Sequence, residues 1–446
     1  MKRITSVKLT AWLSWITAAI LVLLPFHAFL TVWLSSLTGH YTLLRLWKEF
    51  LLVALVLGSF YILAINAILR KKLLAARLVR LIAVYFLVLL ICAFGAFIAH
   101  TVTAKAMWYG LLVDSRFLIF FLAVLVITST SGWLTRYWQK ILLAPAVIVA
   151  AFAILQFLVL PNDFLKHFGY GPNTISPFET INHNIHHIRV ASTLRGANPL
   201  GAYLIVPICA LAVMFFKEKR ERLDKTIFGL GLVLALIFSF SRSAWIGAAL
   251  GILTIVGLSL RTGRAKKLAV QIMAGILVVA VVLGVLLRNN LSFEDFIFHT
   301  DRASTIAVSS NEGHSAAFRA AAKDIANQPL GGGVGTAGPE SVYNSQPARI
   351  AENYFLQIGQ EAGIIGLLLF IAICAETGRL LYVRRADPLA LALLASLVGL
   401  SFINLLSHAW TDDTLAYIWW GLAAICLSPV ILGERHKQNV KIKKTA

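Results

Sequence analysis

From Thr226 to Leu260 the chain runs thirty-five residues with one charged side chain, Arg242, in the stretch "SFSRSAWIG". A hydrocarbon core of about 30 Å takes roughly 20 apolar residues per helix. The run is too long for one crossing and barely long enough for two. An arginine inside lipid is costly unless it faces the protein interior or a wet cavity. Splitting the run at Ser241-Arg242-Ser243 gives two short helices with Arg242 at their junction. Comparable apolar stretches recur along the chain, in which 59% of 446 residues are hydrophobic and only 13% charged. A globule in water could not hide that much apolar surface. Long continuous runs point to helices, since a barrel shows short alternating segments.

Hydropathy places about twelve spans, near 11–34, 44–69, 78–100, 116–132, 141–160, 196–216, 226–240, 243–260, 268–287, 352–375, 388–408 and 414–432. Charge supports the split at Arg242. With the N-terminus inside, the inner segments include "RKKLLAARLVR", "KEKRERLDK", "RTGRAKK" and the tail "RHKQNVKIKK", and together they hold 27 of the 40 Lys and Arg. Without the break, every later segment flips and the basic tail faces outward. The net charge of +20 then reflects basic loops at an anionic inner leaflet, and a nucleic-acid partner is not expected. The first apolar run reads as a span rather than a cleaved leader. Cys92, Cys209, Cys374 and Cys426 each lie in an apolar run without a CxxC pair, so no disulfide framework or zinc site is expected. The expected fold is an all-α polytopic integral membrane protein, one transmembrane domain over 1–446. Its two long outer segments are 161–195 and 288–351, the second largely helical.

Cations gather on that outer side. Arg189 and Arg195 flank "VASTL", and Arg319 lies in "HSAAFRAAAKDIANQPLGGGVG". The latter reads as a helix stopped by Gln-Pro and glycines, with Arg319 and Lys323 on one face. Guanidinium forks suit phosphate oxygens in two-point contacts, so arginines at the outer bilayer surface suggest a lipid-borne diphosphate. The blander alternatives are an Arg242 paired to a carboxylate and solvated loop cations. The run "GGGVGTAG" lacks the Lys-Ser/Thr of a nucleotide loop and no strand precedes it. It reads as a turn that lets backbone approach a ligand. His183, His186 and His187 have no carboxylate or cysteine at ligand spacing, and no metal is expected. Glu352 and Asn353 open the tenth span, and Asn353, Gln357 and Gln360 share one face. Glu352 is either a general base toward a hydroxyl or a capping or ion-pairing carboxylate.

Four stretches in order, "RVASTLRGANPLGAYL", "FSFSRSAWIG", "FRAAAKDIANQPLGGGVG" and "ENYFLQIGQEAGIIG", resemble motifs of the O-antigen ligase and polymerase superfamily, the WaaL and Wzy proteins with their PglL-type relatives. The resemblance covers roughly 187–368. It implies a GT-C-type architecture and a metal-independent glycosyltransferase without a cofactor. Such an enzyme moves glycan from undecaprenyl diphosphate to an acceptor hydroxyl on the outer face of the bacterial inner membrane. The acceptor is lipid A-core, another lipid-linked glycan or a further cell-surface molecule. Carried over, Arg242 and Arg319 bind or neutralise the diphosphate. Glu352 stands where the ligases have a histidine that activates the acceptor, a departure closer to polymerase-type branches. Arg195, Arg189, Asn353, Lys323 and Gln357 are candidates for holding diphosphate or glycan. A transporter or flippase of lipid-linked glycan is the rival reading. It favours inverted repeats and helices broken at mid-membrane; the sequence has no evident repeat, and its expected break lies at the outer surface.

Overall fold

Each expected span that falls on described residues is helical. The structure is a computed structural model that describes residues 2–181, 184–217, 222–259 and 310–432. The expected span at 268–287 lies outside them. The first span is two helices, α1 (Lys2–Leu23) and α2 (His27–Thr38), joined by a 3-10 turn that contains Pro25. Then follow α3 (Tyr41–Arg45), α4 (Trp47–Ile65), α5 (Ala67–Ala75), α6 (Arg77–Ile98), α7 (Ala104–Thr130) and α8 (Trp133–Leu158). After the first long outer segment come α9 (Ala197–Lys217), α10 (Arg222–Phe238) and α11 (Arg242–Ser259). The described chain resumes with α12 (Ser310–Asn327), α13 (Tyr354–Val383), α14 (Pro388–Asn404) and α15 (Asp413–Ile431). Among the described residues nine helical stretches are long and apolar enough to cross a membrane, while α10 and α14 have 17 residues each.

The lipid side is legible in the pattern of exposure. Phe50, Val53, Leu57 and Phe60 form a stripe at helical spacing on α4, each more than half exposed. An exposed apolar stripe is unstable in water and at home in hydrocarbon. The interior is built from α7, α9 and α15, whose apolar lengths are mostly buried. Trp410, Trp419 and Trp420 pack there against Phe117 and Phe121. Helices α11 and α14 touch backbone to backbone: a Cβ on Gly399 would lie 2.2 Å from the Gly247 carbonyl oxygen. Small residues at such crossings let membrane helices pack without side chains between them.

Helix α7 begins at Ala104, about three turns before the expected start at 116. Asp114 lies before the expected span and Arg116 at its first position, yet both are buried inside the helix. Arg116 pairs with Asp413, donates to the Thr411 carbonyl at 2.9 Å and lies 3.7 Å from Glu49. Lys48, 1% exposed, lies 3.0 Å from Asp413 and 3.1 Å from Glu49. His27 lies 3.3 Å from the Lys48 ammonium and accepts from the Trp47 indole at 2.9 Å. Two cations and two carboxylates thus join α4, α7 and α15, with α2 at their edge.

The described parts of the two long connecting segments hold regular structure. Residues 161–195 hold a 3-10 turn at Phe164–Phe168 and a two-stranded antiparallel sheet, β1 (Glu179–Ile181) against β2 (Asn184–Arg189). This sheet is an addition to the expected all-helical fold. In the second segment α12 stops at Asn327, before Gln328-Pro329, as its sequence indicates. The glycine run then lies against a break in α13 at Gly363, where φ is +69°. The Gly332 and Gly333 amides donate to the carbonyls of Gln360 and Glu361 at 2.7 and 3.0 Å, and the Ile364 amide donates to the Pro329 carbonyl at 2.9 Å. Irregular backbone at membrane depth is tolerated where protein satisfies it, and here the loop completes the helix's missing bonds.

Gly335 shows how tight the join is. Its φ is +91°, and a Cβ there would sit 2.7 Å from the Ala106 backbone. Gly335→Ala is expected to destabilise the protein by about 1–3 kcal/mol, read as a lower thermal unfolding midpoint in detergent. An unchanged midpoint would mean the loop does not pack on α7 this way.

Candidate functional site

At the junction of α10 and α11 the chain reverses through Ser239, Phe240 and Ser241, with Phe240 at φ +48°. The turn is fixed from within. The Ser241 amide donates to Ser239 Oγ at 3.3 Å, and the Trp245 indole donates to the Leu236 carbonyl at 2.9 Å. Arg242 is therefore the first residue of α11 rather than a mid-helix charge. A helix N-terminus gathers unpaired amides and favours anions, so a cation placed there is held for a reason other than helix stability.

A cavity of about 700 Å³ opens beside this turn. Its wall includes Arg189 of β2, Asn198 at the start of α9, and Phe240, Arg242, Ser243 and Ile246 from the turn and α11. Across from them stand Ser315, Phe318 and Arg319 of α12, Ala351 and Glu352 before α13, and Leu405, Leu406 and Ser407 after α14. Six separate parts of the chain thus meet around one space and bring to it three arginines, one glutamate and the apolar side chains of Phe240, Ile246, Phe318, Leu405 and Leu406.

The arginines are held differently. Arg189 is fastened: its Nε donates to the Ser239 carbonyl at 3.2 Å, an Nη donates to Asn198 Oδ1 at 2.6 Å, and Glu179 lies at 3.7 Å. Burial pushes the Arg189 guanidinium below its ordinary value and Arg242 adds like-charge repulsion, with Glu179 acting in the opposite sense. An anion between Arg189 and Arg242 relieves that repulsion. Arg319 is exposed on α12, and among the described residues its one hydrogen bond is to Ser315 Oγ at 3.3 Å, one turn back. Glu352 has φ +54°. Strained backbone of this kind on a non-glycine residue is uncommon and concentrates at functional sites.

Other sequence-derived candidates lie elsewhere. Asn353 caps α13, accepting from the Leu356 amide at 3.0 Å and donating to the Leu405 carbonyl at 3.0 Å. It holds Glu352 and the α14 end in register without lining the cavity. Gln357 is buried and donates to Glu340 at 2.9 Å. Arg195 is exposed, 3.7 Å from Asp412 at the start of α15. Burial raises the Asp412 carboxyl and Arg195 opposes this. Lys323 is exposed one turn beyond Arg319, outside the cavity wall. Of the three histidines weighed as a metal site, His183 lies outside the described residues, and His186 and His187 are in β2.

Sequence reasoning missed Asn198, Ser243, Ser315 and Ser407 in the wall. It also missed a cluster of three buried carboxylates, Asp114, Glu340 and Glu361, whose ligand oxygens lie within 4.8 Å of one another. Burial and then the Asp114 charge push the Glu340 carboxyl upward. No spacing signal links residues so far apart in sequence.

Residues 226–371 match the Wzy_C family model, described as O-Antigen ligase. The match spans about a third of the chain and runs from α10 through α11 and α12 into α13, the elements that carry Arg242, Arg319 and Glu352. It agrees with the superfamily resemblance and supports a membrane ligase or polymerase role in general. No curated protein matches the chain.

Asn353→Ala removes a cap and the tie to Leu405. The expected loss is about 1 kcal/mol of stability, seen as a lower unfolding midpoint. An unchanged midpoint would show that the cap contributes little.

Proposed function

We propose that the chain is a glycosyltransferase of the ligase or polymerase type. It takes glycan from a polyprenyl, in bacteria undecaprenyl, diphosphate donor and passes it to an acceptor hydroxyl at the outer face of the inner membrane. Both termini then face the cytoplasm, in keeping with the basic inner segments. The observation that carries this reading is the meeting of Arg189, Arg242, Arg319 and Glu352 around one cavity with an apolar side.

The chemistry follows from the charges. The acceptor oxygen attacks the anomeric carbon, the bond from that carbon to the phosphate oxygen breaks, and the diphosphate leaves with the electron pair. Arg242 and Arg319 stabilise that growing negative charge from two sides, as fixed donors do for any oxyanion. Their guanidiniums supply positive charge that another enzyme would draw from a metal. Arg189, locked by Asn198 and Ser239, keeps the third side positive. Glu352 takes the acceptor proton. The apolar side made by Phe318, Leu405 and Leu406 suits the first isoprene units. Arg195 and Lys323 stand outside this scheme, and Asn353 and Gln357 serve it by position only.

The test is transfer by purified protein from a lipid-diphosphate glycan to candidate acceptors. Arg242→Ala and Arg319→Ala are each expected to lower the rate by about 100-fold or more, while Arg195→Ala and Lys323→Ala stay near the parent. Full activity in the first two variants sinks the site. Glu352→Gln is expected to lose transfer and Glu352→His to keep part of it; an active Gln variant removes Glu352 as the base. Product length and the acceptor consumed separate polymerase from ligase. Movement of the donor across vesicles without transfer overturns the enzymatic reading in favour of a flippase.

A further inference from the structure

Behind the cavity, Asp114 of α7, Glu361 of α13 and Glu340 of the 3-10 turn Pro339–Tyr343 converge, each with 0% of its surface exposed. None of the three lines the cavity. One oxygen of each is accounted for. Asp114 Oδ1 accepts from the Tyr354 hydroxyl at 3.1 Å, Glu340 Oε1 from Gln357 at 2.9 Å, and Glu361 Oε1 from the Gly335 amide at 2.7 Å. The other oxygen of each, Asp114 Oδ2, Glu340 Oε2 and Glu361 Oε2, is buried and finds no donor group, while Glu361 lies within hydrogen-bonding reach of both other carboxylates. A fourth group, neutral and from another helix, stands in the same condition. The Tyr85 hydroxyl on α6 is buried without a partner, and its charged neighbours are Asp114 and Glu361.

Three such oxygens in one dry space need either shared protons or a cation between them. The nearest cation in sequence, Arg116, is engaged with Asp413, Glu49 and the Thr411 carbonyl. The donor set is all oxygen, which suits a hard cation rather than a soft one. The spacing also fits. Oxygens about 2.4 Å from a shared Ca²⁺ lie no more than about 4.8 Å apart, and the ligand oxygens here lie within 4.8 Å of one another. Mg²⁺ prefers to keep several waters, which a fully enclosed site disfavours.

We propose that Asp114, Glu340 and Glu361 form a structural divalent-cation site, of the calcium type, that locks the outer segment 329–344 onto α7 and α13. Tyr85 closes its fourth side. The site acts on architecture and not on the transfer chemistry, so it stands whether or not the glycosyltransferase reading holds. Its consequence is mechanical. The glycine loop, the break in α13 and the tie from Asp324 of α12 to Gln360 at 2.7 Å belong to one assembly, and α12 carries Arg319.

The test uses the full chain in detergent and reads metal and stability, not activity. After exhaustive exchange into metal-free buffer, elemental analysis is expected to find about one Ca²⁺ per chain, or stripped protein is expected to melt higher as CaCl₂ is added, with saturation. Added MgCl₂ is expected to do less. Asp114→Asn and Glu361→Gln are expected to abolish both the bound metal and the CaCl₂ response. Wild-type protein measured alone already decides the matter should a variant fail to fold. Protein without bound divalent metal, whose midpoint ignores CaCl₂ and MgCl₂ and instead rises as pH falls, overturns the proposal and assigns shared protons to the cluster.

Discussion

Four largely buried charges set the terms for everything around them. Lys48, Glu49, Arg116 and Asp413 sum to zero and lie on three helices; α4 brings one charge of each sign, while Arg116 of α7 and Asp413 of α15 each need a partner from another helix. Taking ions out of water carries several kcal/mol apiece, returned only by good geometry, and removing one partner of a buried pair typically costs 3–5 kcal/mol. Such a network adds little net stability over an apolar core. Its value here lies in register: α4, α7 and α15 meet with these side chains level or leave a charge stranded in a dry interior. That register fixes where Arg116 sits on α7, and Asp114, two residues earlier, turns to the opposite face of the helix.

The outer site depends on the same frame at one remove. Helix α7 presents Ala106 and Gly110 to the glycine loop, the loop fills the break in α13, and α13 is capped by Asn353, the residue after Glu352. On the other side, Arg189 fastens β2 to the ends of α9 and α10 and so fixes the turn that carries Arg242. Two rigid supports therefore face each other across the cavity, one bearing Arg189 and Arg242, the other Arg319 and Glu352. Positioning residues outnumber those that can touch a substrate.

The spans on described residues were legible because lipid enforces a simple rule, apolar length. The turn at Arg242 was legible for the same reason: thirty-five apolar residues do not fit one crossing. The first three turns of α7 were missed because the partner that lets Arg116 be buried, Asp413, lies some three hundred residues away. The hairpin 179–189 was missed because its strands are short and its pairing partly irregular. Arg195 and Lys323 illustrate a limit of proximity in sequence. Each lies within a few residues of a cavity arginine, yet helix or turn geometry carries it outside the wall. The glycine run was recognised as a place for close approach, but what it approaches is the protein itself: the amides of Gly332, Gly333 and Gly335 are taken by carbonyls and a carboxylate of α13.

The break at Gly363 also bears on how the chain is made. From Ile364 to Val383 helix α13 retains twenty residues, which at 1.5 Å each span about 30 Å, a full crossing. The insertion machinery can therefore integrate that part as an ordinary apolar segment. The two turns before it, with Gln357, Gln360 and Glu361, need not be admitted to lipid on their own merits. They can wait at the headgroup level until the preceding loop and α7 are in place, so polar groups too unfavourable to insert singly are delivered by assembly instead.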